Sequence, residues 1–156
     1  MVSETAAWLE AAALPEVQAE MAEMIDESER AVRERRPVCV ASGACCHFER
    51  YGHALWLTGL EVAWCLRQLP AAPTADEVEA AARRGDCPFL REGRCSVHWA
   101  RPLGCRAFFC DGEGEGWQEA LLERWHGRVR AMHERLAVPY RYDEWRRLLR
   151  VFASHA

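Results

Sequence analysis

The sequence predicts a mainly α protein: one small domain of helices packed around a cysteine-rich loop core, with at most a short β-hairpin. Three observations predict it. Two capping boxes, Thr58-Gly-Leu-Glu61 and Thr74-Ala-Asp-Glu77, each announce a helix start. Apolar residues recur at helical spacing toward both ends of the chain. Between and beside those helices, seven of the eight cysteines fall in loop segments that also hold Gly43, Pro88, Gly93, Pro102 and Gly104. The organisation expected is a single domain over 1–156, with a cysteine-cluster metal-binding core at 39–110 and a C-terminal helical pair at 117–156.

From the N-terminus, residues 3–13 read as a short Ala-rich helix that Ser3 can cap. Pro15 suits the first position of a longer helix. Val17, Met21, Met24, Ile25 and Val32 mark its apolar stripe, and acid-first, base-last charge order suits its dipole. Pro37 stops it. Small residues make the segment from Cys39 to Cys46 a loop. His53 to Leu57 reads as a short strand. The helix opened by Thr58 runs to about Leu69, and Pro70 to Pro73 form a linker. The helix opened by Thr74 ends at Gly85. Glu92-Gly93 reads as a hairpin turn between Cys87–Leu90 and Cys95–Trp99. Asp111 to Gly116 is a polar loop. Two helices follow. Trp117, Leu121, Trp125, Val129, Met132 and Leu136 stripe the first, Pro139 breaks the pattern, and Trp145, Leu148, Leu149 and Phe152 stripe the second.

Half of the 156 residues are apolar, and 20 basic against 24 acidic residues give a net charge of −4. A chain of this length buries roughly two-thirds of its unfolded surface, so it can build a core without disulfide staples. All the basic residues are Arg, there is no Lys or Asn, and Ile25 is the sole Ile. Such a bias follows from a GC-rich genome, and with net acidity it argues against a nucleic-acid partner. Without Lys there is no Schiff-base chemistry and no P-loop. No apolar run is long enough for a membrane span. The first residues carry Glu4 and Glu10 and no basic residue, the wrong charge for an export signal. The expected compartment is therefore the cytoplasm, where clustered cysteines serve as metal ligands or redox groups more often than as disulfides.

The candidate metal ligands are Cys39, Cys45 and Cys46 in a first cluster, and Cys87, Cys95, Cys105 and Cys110 in a second. Gly and Pro let such loops wrap a small object, and soft thiolates select zinc, iron–sulfur clusters or copper(I). Cys65 stands inside a helix beside Trp64 and Leu66, reads as a buried apolar residue, and is left out of the site. Arg101 and Arg106 flank Cys105, either to fix the loop through carbonyls or to hold positive charge near the thiolates. Trp99, Phe108 and Phe109 are expected to shield the site from water. His126 and His133, seven apart, read as a solvated helix face, and Trp117, Trp125 and Trp145 as core anchors.

Cys39-x-x-Ser42-x-x-Cys45-Cys46 resembles the CxxCxxCC signature of the YkgJ-type cysteine-cluster family, described as a zinc- or iron-chelating domain. The second cluster is similar to the same family's pattern: Cys87-Pro-Phe-Leu90, then Gly93-Arg-Cys95-Ser-Val, then Arg101-Pro-Leu-Gly-Cys105-Arg106. The resemblance spans 39–110. It implies a bound metal, and through a flagellin lysine methylase that resembles the same family it implies an association with iron–sulfur clusters. Two positions depart from the pattern. Ser42 replaces a cysteine, which leaves Cys110 to complete the set or the site one thiolate short. His98 replaces a Tyr and adds a nitrogen donor beside the cluster.

Ser42 also removes every CxxC pair, the usual knuckle of structural zinc. The irregular spacing of the second cluster suits an iron–sulfur cluster, which accepts cysteines from scattered loops. The cofactor expected is thus an iron–sulfur cluster, with zinc the alternative, and with one of the adjacent pair Cys45-Cys46 standing aside from a shared ion. The function expected is electron transfer or service to a larger protein partner or enzyme. The alternatives are a zinc-stabilised interaction module and, on the methylase resemblance alone, an enzyme modifying a peptide or protein. No catalytic set emerges from the sequence. The two clusters are expected to meet, with Cys45 or Cys46 within about 7 Å of a second-cluster sulfur, the span that shared ligation allows.

Overall fold

Ser3 starts the first helix: its Oγ accepts the Ala6 N–H at 3.2 Å at the head of α1 (Glu4–Ala13). The computed structural model describes residues 1–36, 44–107 and 116–154. The expectations for Pro37, Cys39, Ser42, Gly43, Phe108, Phe109, Cys110 and most of the polar loop at 111–116 lie outside these. Pro15 is the first residue of α2 (Pro15–Arg35), as its fixed φ favours. Val17, Met21, Met24 and Ser28 are its buried stripe, spaced four, three and four. Ser28 is tolerated there because its hydroxyl donates to the Ile25 carbonyl at 2.7 Å. Arg36, in the left-handed region at φ 46°, ends the helix by donating its N–H to Val32 O.

Both capping boxes form as read. Thr58 heads α3 (Gly59–Arg67) and Thr74 heads α4 (Ala75–Arg84), each with reciprocal side-chain and backbone bonds to the glutamate three residues on. Gly85, at φ 76°, closes α4. The strand expected over His53–Leu57 is displaced: β1 is Trp56–Thr58. Its antiparallel partner is β4 (Tyr142–Glu144), a strand the sequence reading did not separate from the C-terminal helices. Three residues carry too little periodicity to register alone, and the pairing joins positions more than eighty residues apart. The expected hairpin is present but short, with β2 (Leu90–Arg91) and β3 (Arg94–Cys95) flanking Glu92 and Gly93 at φ 50° and 75°. Positive φ at both turn positions matches the twist of a two-residue hairpin. Residues His98–Ala100 form a 3₁₀ turn instead of extending β3. The chain then makes α5 (Leu103–Arg106), α6 (Trp117–Arg135) and, after β4, α7 (Trp145–Ala153). The architecture is mainly α, with two small two-stranded antiparallel pairs.

The core sits where α1 crosses α3. Trp8 is fully buried, and a Cβ at Gly59 would stand 2.3 Å from its ring. The Trp8 indole N–H donates to Pro139 O at 2.7 Å, and the same carbonyl accepts the His133 Nδ1–H at 2.9 Å. One carbonyl thus ties α1 and α6 to the segment leading into β4. This overturns the reading of His126 and His133 as a solvated face. His133 is 1% exposed, and His126 is half-buried with its ring 4.5 Å from that of Tyr142 and Nε2 at 2.9 Å from Tyr140 Oη. The break at Pro139 folds Tyr140 and Tyr142 back over that face of α6. On the other side α6 meets α2 through ion pairs, Arg128 with Glu23 at 2.8 Å, Arg135 with Glu20 at 2.9 Å, and Arg124 with Glu27. Helix α4 packs on α7, with Arg150 and Glu79 2.9 Å apart. Among the described residues no helix is long and apolar enough to cross a membrane.

Two glycines set up opposite outcomes. Gly59→Ala drives a methyl into the Trp8 ring and should cost about 1–3 kcal/mol. Gly127, inside α6, has nothing within 4 Å of a Cβ, so Gly127→Ala should stabilise by about 0.5–1 kcal/mol. Urea unfolding of both variants checks the signs.

Glu61 supplies a pH dependence. Burial raises its carboxyl to about 7, against the bonds from Thr58 that oppose the shift. An acid whose folded pKa lies above its unfolded value contributes its full stability below the unfolded value, near pH 4.5. That contribution falls as pH rises through 7. Wild type should therefore lose up to about 3 kcal/mol between pH 5 and pH 8 relative to Glu61→Gln, whose amide oxygen still accepts the Thr58 N–H. A difference between the two proteins that does not change with pH would refute this.

Candidate metal centre

The site is built by backbone bonds before any side chain acts. Cys87 N–H donates to Cys46 O at 2.7 Å, and Glu49 N–H to Gly85 O at 3.1 Å, so the segment after α4 lies alongside the first cysteine segment. A Cβ on Gly85 would stand 2.8 Å from Glu49, and only glycine combines that approach with φ 76°. The His47 Nδ1–H donates to Asp86 Oδ1 at 2.9 Å and pins the same junction. Ala44–Cys46 form a 3₁₀ turn, and His53 Nε2–H donates to Cys45 O at 3.2 Å. In the second segment, Leu90 N–H closes a turn onto Cys87 O at 3.1 Å, and Ser96 gives both its N–H and its hydroxyl to Phe89 O. The hairpin then sets Cys95 opposite Leu90. Pro102 starts the short α5, which carries Cys105.

These elements bring both cysteine segments to one place. The Cys46 thiol is in hydrogen-bonding contact with the thiols of Cys45, Cys87 and Cys95. The expectation that the two clusters meet is fulfilled there. Cys105 lies close behind, where its charge would feel those of Cys87, Cys45, Cys65 and Cys95. Every cysteine among the described residues is a free thiol. Cys65 keeps its expected place, 2% exposed in α3, but near enough to Cys105 to interact with it, so it borders the cluster. Its position inside a helix hid that proximity in the sequence.

A thiol has one proton, so Cys46 serves one of its three neighbours at a time. Its bonds to Cys45, Cys87 and Cys95 hold its own ionisation far above the ordinary thiol range. The bond from Cys46 lowers Cys45 to about 6 and Cys95 to about 7, each against the effect of burial, with Arg101 assisting in both. Burial pushes Cys105 well up, and the neighbouring thiolates add to this.

Arg101 and Arg106 divide the roles expected of them. Arg106 is 9% exposed, and donates from Nε to Arg101 O and from Nη2 to Trp99 O, both at 2.9 Å. It fixes the loop through carbonyls. Arg101 donates to His98 O at 2.9 Å and supplies the positive charge felt at Cys45 and Cys95. Trp99 does not shield the site: it is 59% exposed, because the 3₁₀ turn at His98–Ala100 points it away while Arg106 holds its carbonyl. His98 lies at the surface, and partial burial of its ring, with Arg101 and Arg106 nearby, lowers its pKa.

Among the described residues, no group of three or more His, Cys, Asp or Glu side chains is laid out as the ligand shell of a metal ion. The thiols contact one another instead. Their chemistry nevertheless fits a soft metal: three thiols contact that of Cys46, a fifth lies near, and cationic Arg101 stands beside them. Tetrahedral bonds of ~2.3 Å separate thiolates by roughly 3.8 Å, the scale of a contact between thiols. Comparison of the chain with protein-family models, with curated proteins and with solved structures yields no match.

Proposed function

We propose that this protein carries a cysteine-ligated metal centre, an iron–sulfur cluster, and acts in electron transfer or as an accessory to a larger enzyme. The observation that carries the reading is the contact of the Cys46 thiol with thiols from both cysteine segments. Free thiols from two distant segments that contact one another form a ready set of soft donors. Cys45, Cys46, Cys87, Cys95 and Cys105 are the proposed donors among the described residues. Cys39 and Cys110 remain candidate ligands on the sequence. The supply of more than four thiols favours a cluster over one tetrahedral ion. The contact of Cys46 with three other thiols, four sulfurs in all, favours the second reading, a structural zinc that stabilises an interaction module. A bound iron–sulfur cluster supplies one-electron chemistry. The chain's own part is to hold the thiolates, place Arg101 against their charge and brace the loop through Arg106.

Anaerobic purification with iron, sulfide and zinc analysis separates the readings. A brown protein with iron and sulfide supports the cluster, and a colourless one with stoichiometric zinc supports the module. A metal-free protein whose melting temperature is unmoved by iron or zinc would refute both.

Single substitutions should sort the cysteines. Cys87→Ser, Cys95→Ser and Cys105→Ser should each lose metal and melt earlier, because binding energy at such a site is folding energy. Cys65→Ser should keep its metal. It costs about 1–2 kcal/mol, since a helical serine can donate back to the carbonyl four residues earlier. Metal loss in Cys65→Ser with full retention in Cys95→Ser would reverse the assignment.

A further inference from the structure

A cavity of about 430 Å³ opens beside the thiols, bounded by β1, α3, α5 and α6. Cys45 and Cys105 line it. Its walls include Trp56, Trp125 and Tyr142, and its carboxylates are Glu61 and Glu119. The chain has 20 basic residues, all Arg, yet none lines this cavity among the described residues. The two histidines at its wall are His53 and His126, and burial with nearby Arg130 lowers the pKa of His126.

Glu61 is only 7% exposed, and one of its oxygens, Oε2, accepts the Thr58 N–H at 2.7 Å. The Thr58 hydroxyl adds a side-chain bond to the same carboxyl group. A carboxylate so desolvated lacks a counter-charge, and its field reaches Tyr142. Tyr142 stands 5.8 Å, ring to ring, from Trp56, and both aromatics are nearly half exposed where they border the cavity. Cationic groups are drawn to such ring faces, and the attraction strengthens as water is excluded. An anion would meet two acids and no Arg among the described lining residues. A small inorganic cation would find too few oxygens to replace its hydration shell.

We propose that this cavity binds a small organic ammonium ion, its charge held between the Glu61 carboxyl group and the ring faces of Trp56 and Tyr142. The proposal does not rest on the metal reading. If that reading also holds, the ligand lies against Cys45 and Cys105, next to the centre.

Choline is the probe, titrated into the purified full-length protein and followed by NMR at the tryptophan indole resonances. The comparison ligand is its uncharged analogue with carbon in place of nitrogen. Choline should shift the Trp56 and Trp125 signals and bind about tenfold or more tightly than the analogue. Glu61→Gln, which keeps the cap, and Trp56→Ala, at a half-exposed position, should each weaken choline binding about tenfold while leaving the helical circular dichroism intact. A lysine-bearing peptide titrated in parallel distinguishes the ligand's source. Shifts with choline alone mark a free small molecule, shifts with the peptide alone mark an ammonium on a polypeptide, and either carries the proposal. Equal affinity for choline and the uncharged analogue, or no shift with any ammonium probe, overturns it.

Discussion

The bond from the Cys87 amide to the Cys46 carbonyl, at 2.7 Å, is the constraint on which the candidate site depends. It joins two cysteine segments separated by forty residues and sets the thiols on either side in contact. Closing a loop of that length costs only slowly more as the loop grows, and here nearly half of the loop is α3 and α4, whose starts are already fixed by capping boxes. Gly85 is the hinge that makes the approach possible. A side chain there would displace Glu49, whose amide donates to the Gly85 carbonyl. The junction therefore depends on one residue without a Cβ, on main-chain bonds that any neighbouring sequence could make, and on the His47–Asp86 side-chain bond.

The helical frame holds this junction through a second shared acceptor. The Pro139 carbonyl accepts from both Trp8 and His133, so the chain leaving α6 is tied to α1 just before it pairs with β1. The β1–β4 pair in turn positions the start of α3, where Trp8 lies flat over Gly59. Buried polar groups are acceptable here because each of these donors meets an acceptor. The frame thus links the N-terminal helix, the C-terminal strand and the wall of the cavity in one packed unit.

Charge is distributed unevenly over that frame. Arg124, Arg128 and Arg135 line α6 against the acids of α2, in partly solvated pairs that individually contribute little. Arg101 lies near Cys45 and Cys95, and Arg106 near Cys65 and Cys105, where negative charge would accumulate. The cavity beside them has no Arg among its described lining residues and keeps the Glu61 carboxyl group in a poorly solvated place. In a chain whose cations are all arginine, this separation gives neighbouring regions opposite electrostatic preferences.

Local chemistry determined what the sequence could show by itself. Ser3, Pro15, Thr58, Thr74 and Gly85 mark helix ends because each satisfies orphan backbone groups, or adopts the needed φ, within a few residues. The stripes of α2, α6 and α7 followed from helical periodicity, and the clustering of the cysteines from their spacing. Tertiary structure alone decided the rest. The pairing of Trp56–Thr58 with Tyr142–Glu144 is a contact between distant segments too short to carry a pattern. His133 is buried and Trp99 exposed because of how the chain folds back after Pro139 and turns at His98–Ala100, which residue type does not encode. The meeting of Cys46 with Cys87 and Cys95, the closeness of Cys65 to Cys105, and the placing of Glu61 in a cavity wall all depend on packing between elements remote in the chain. Sequence specifies such contacts only through the whole set of interactions at once.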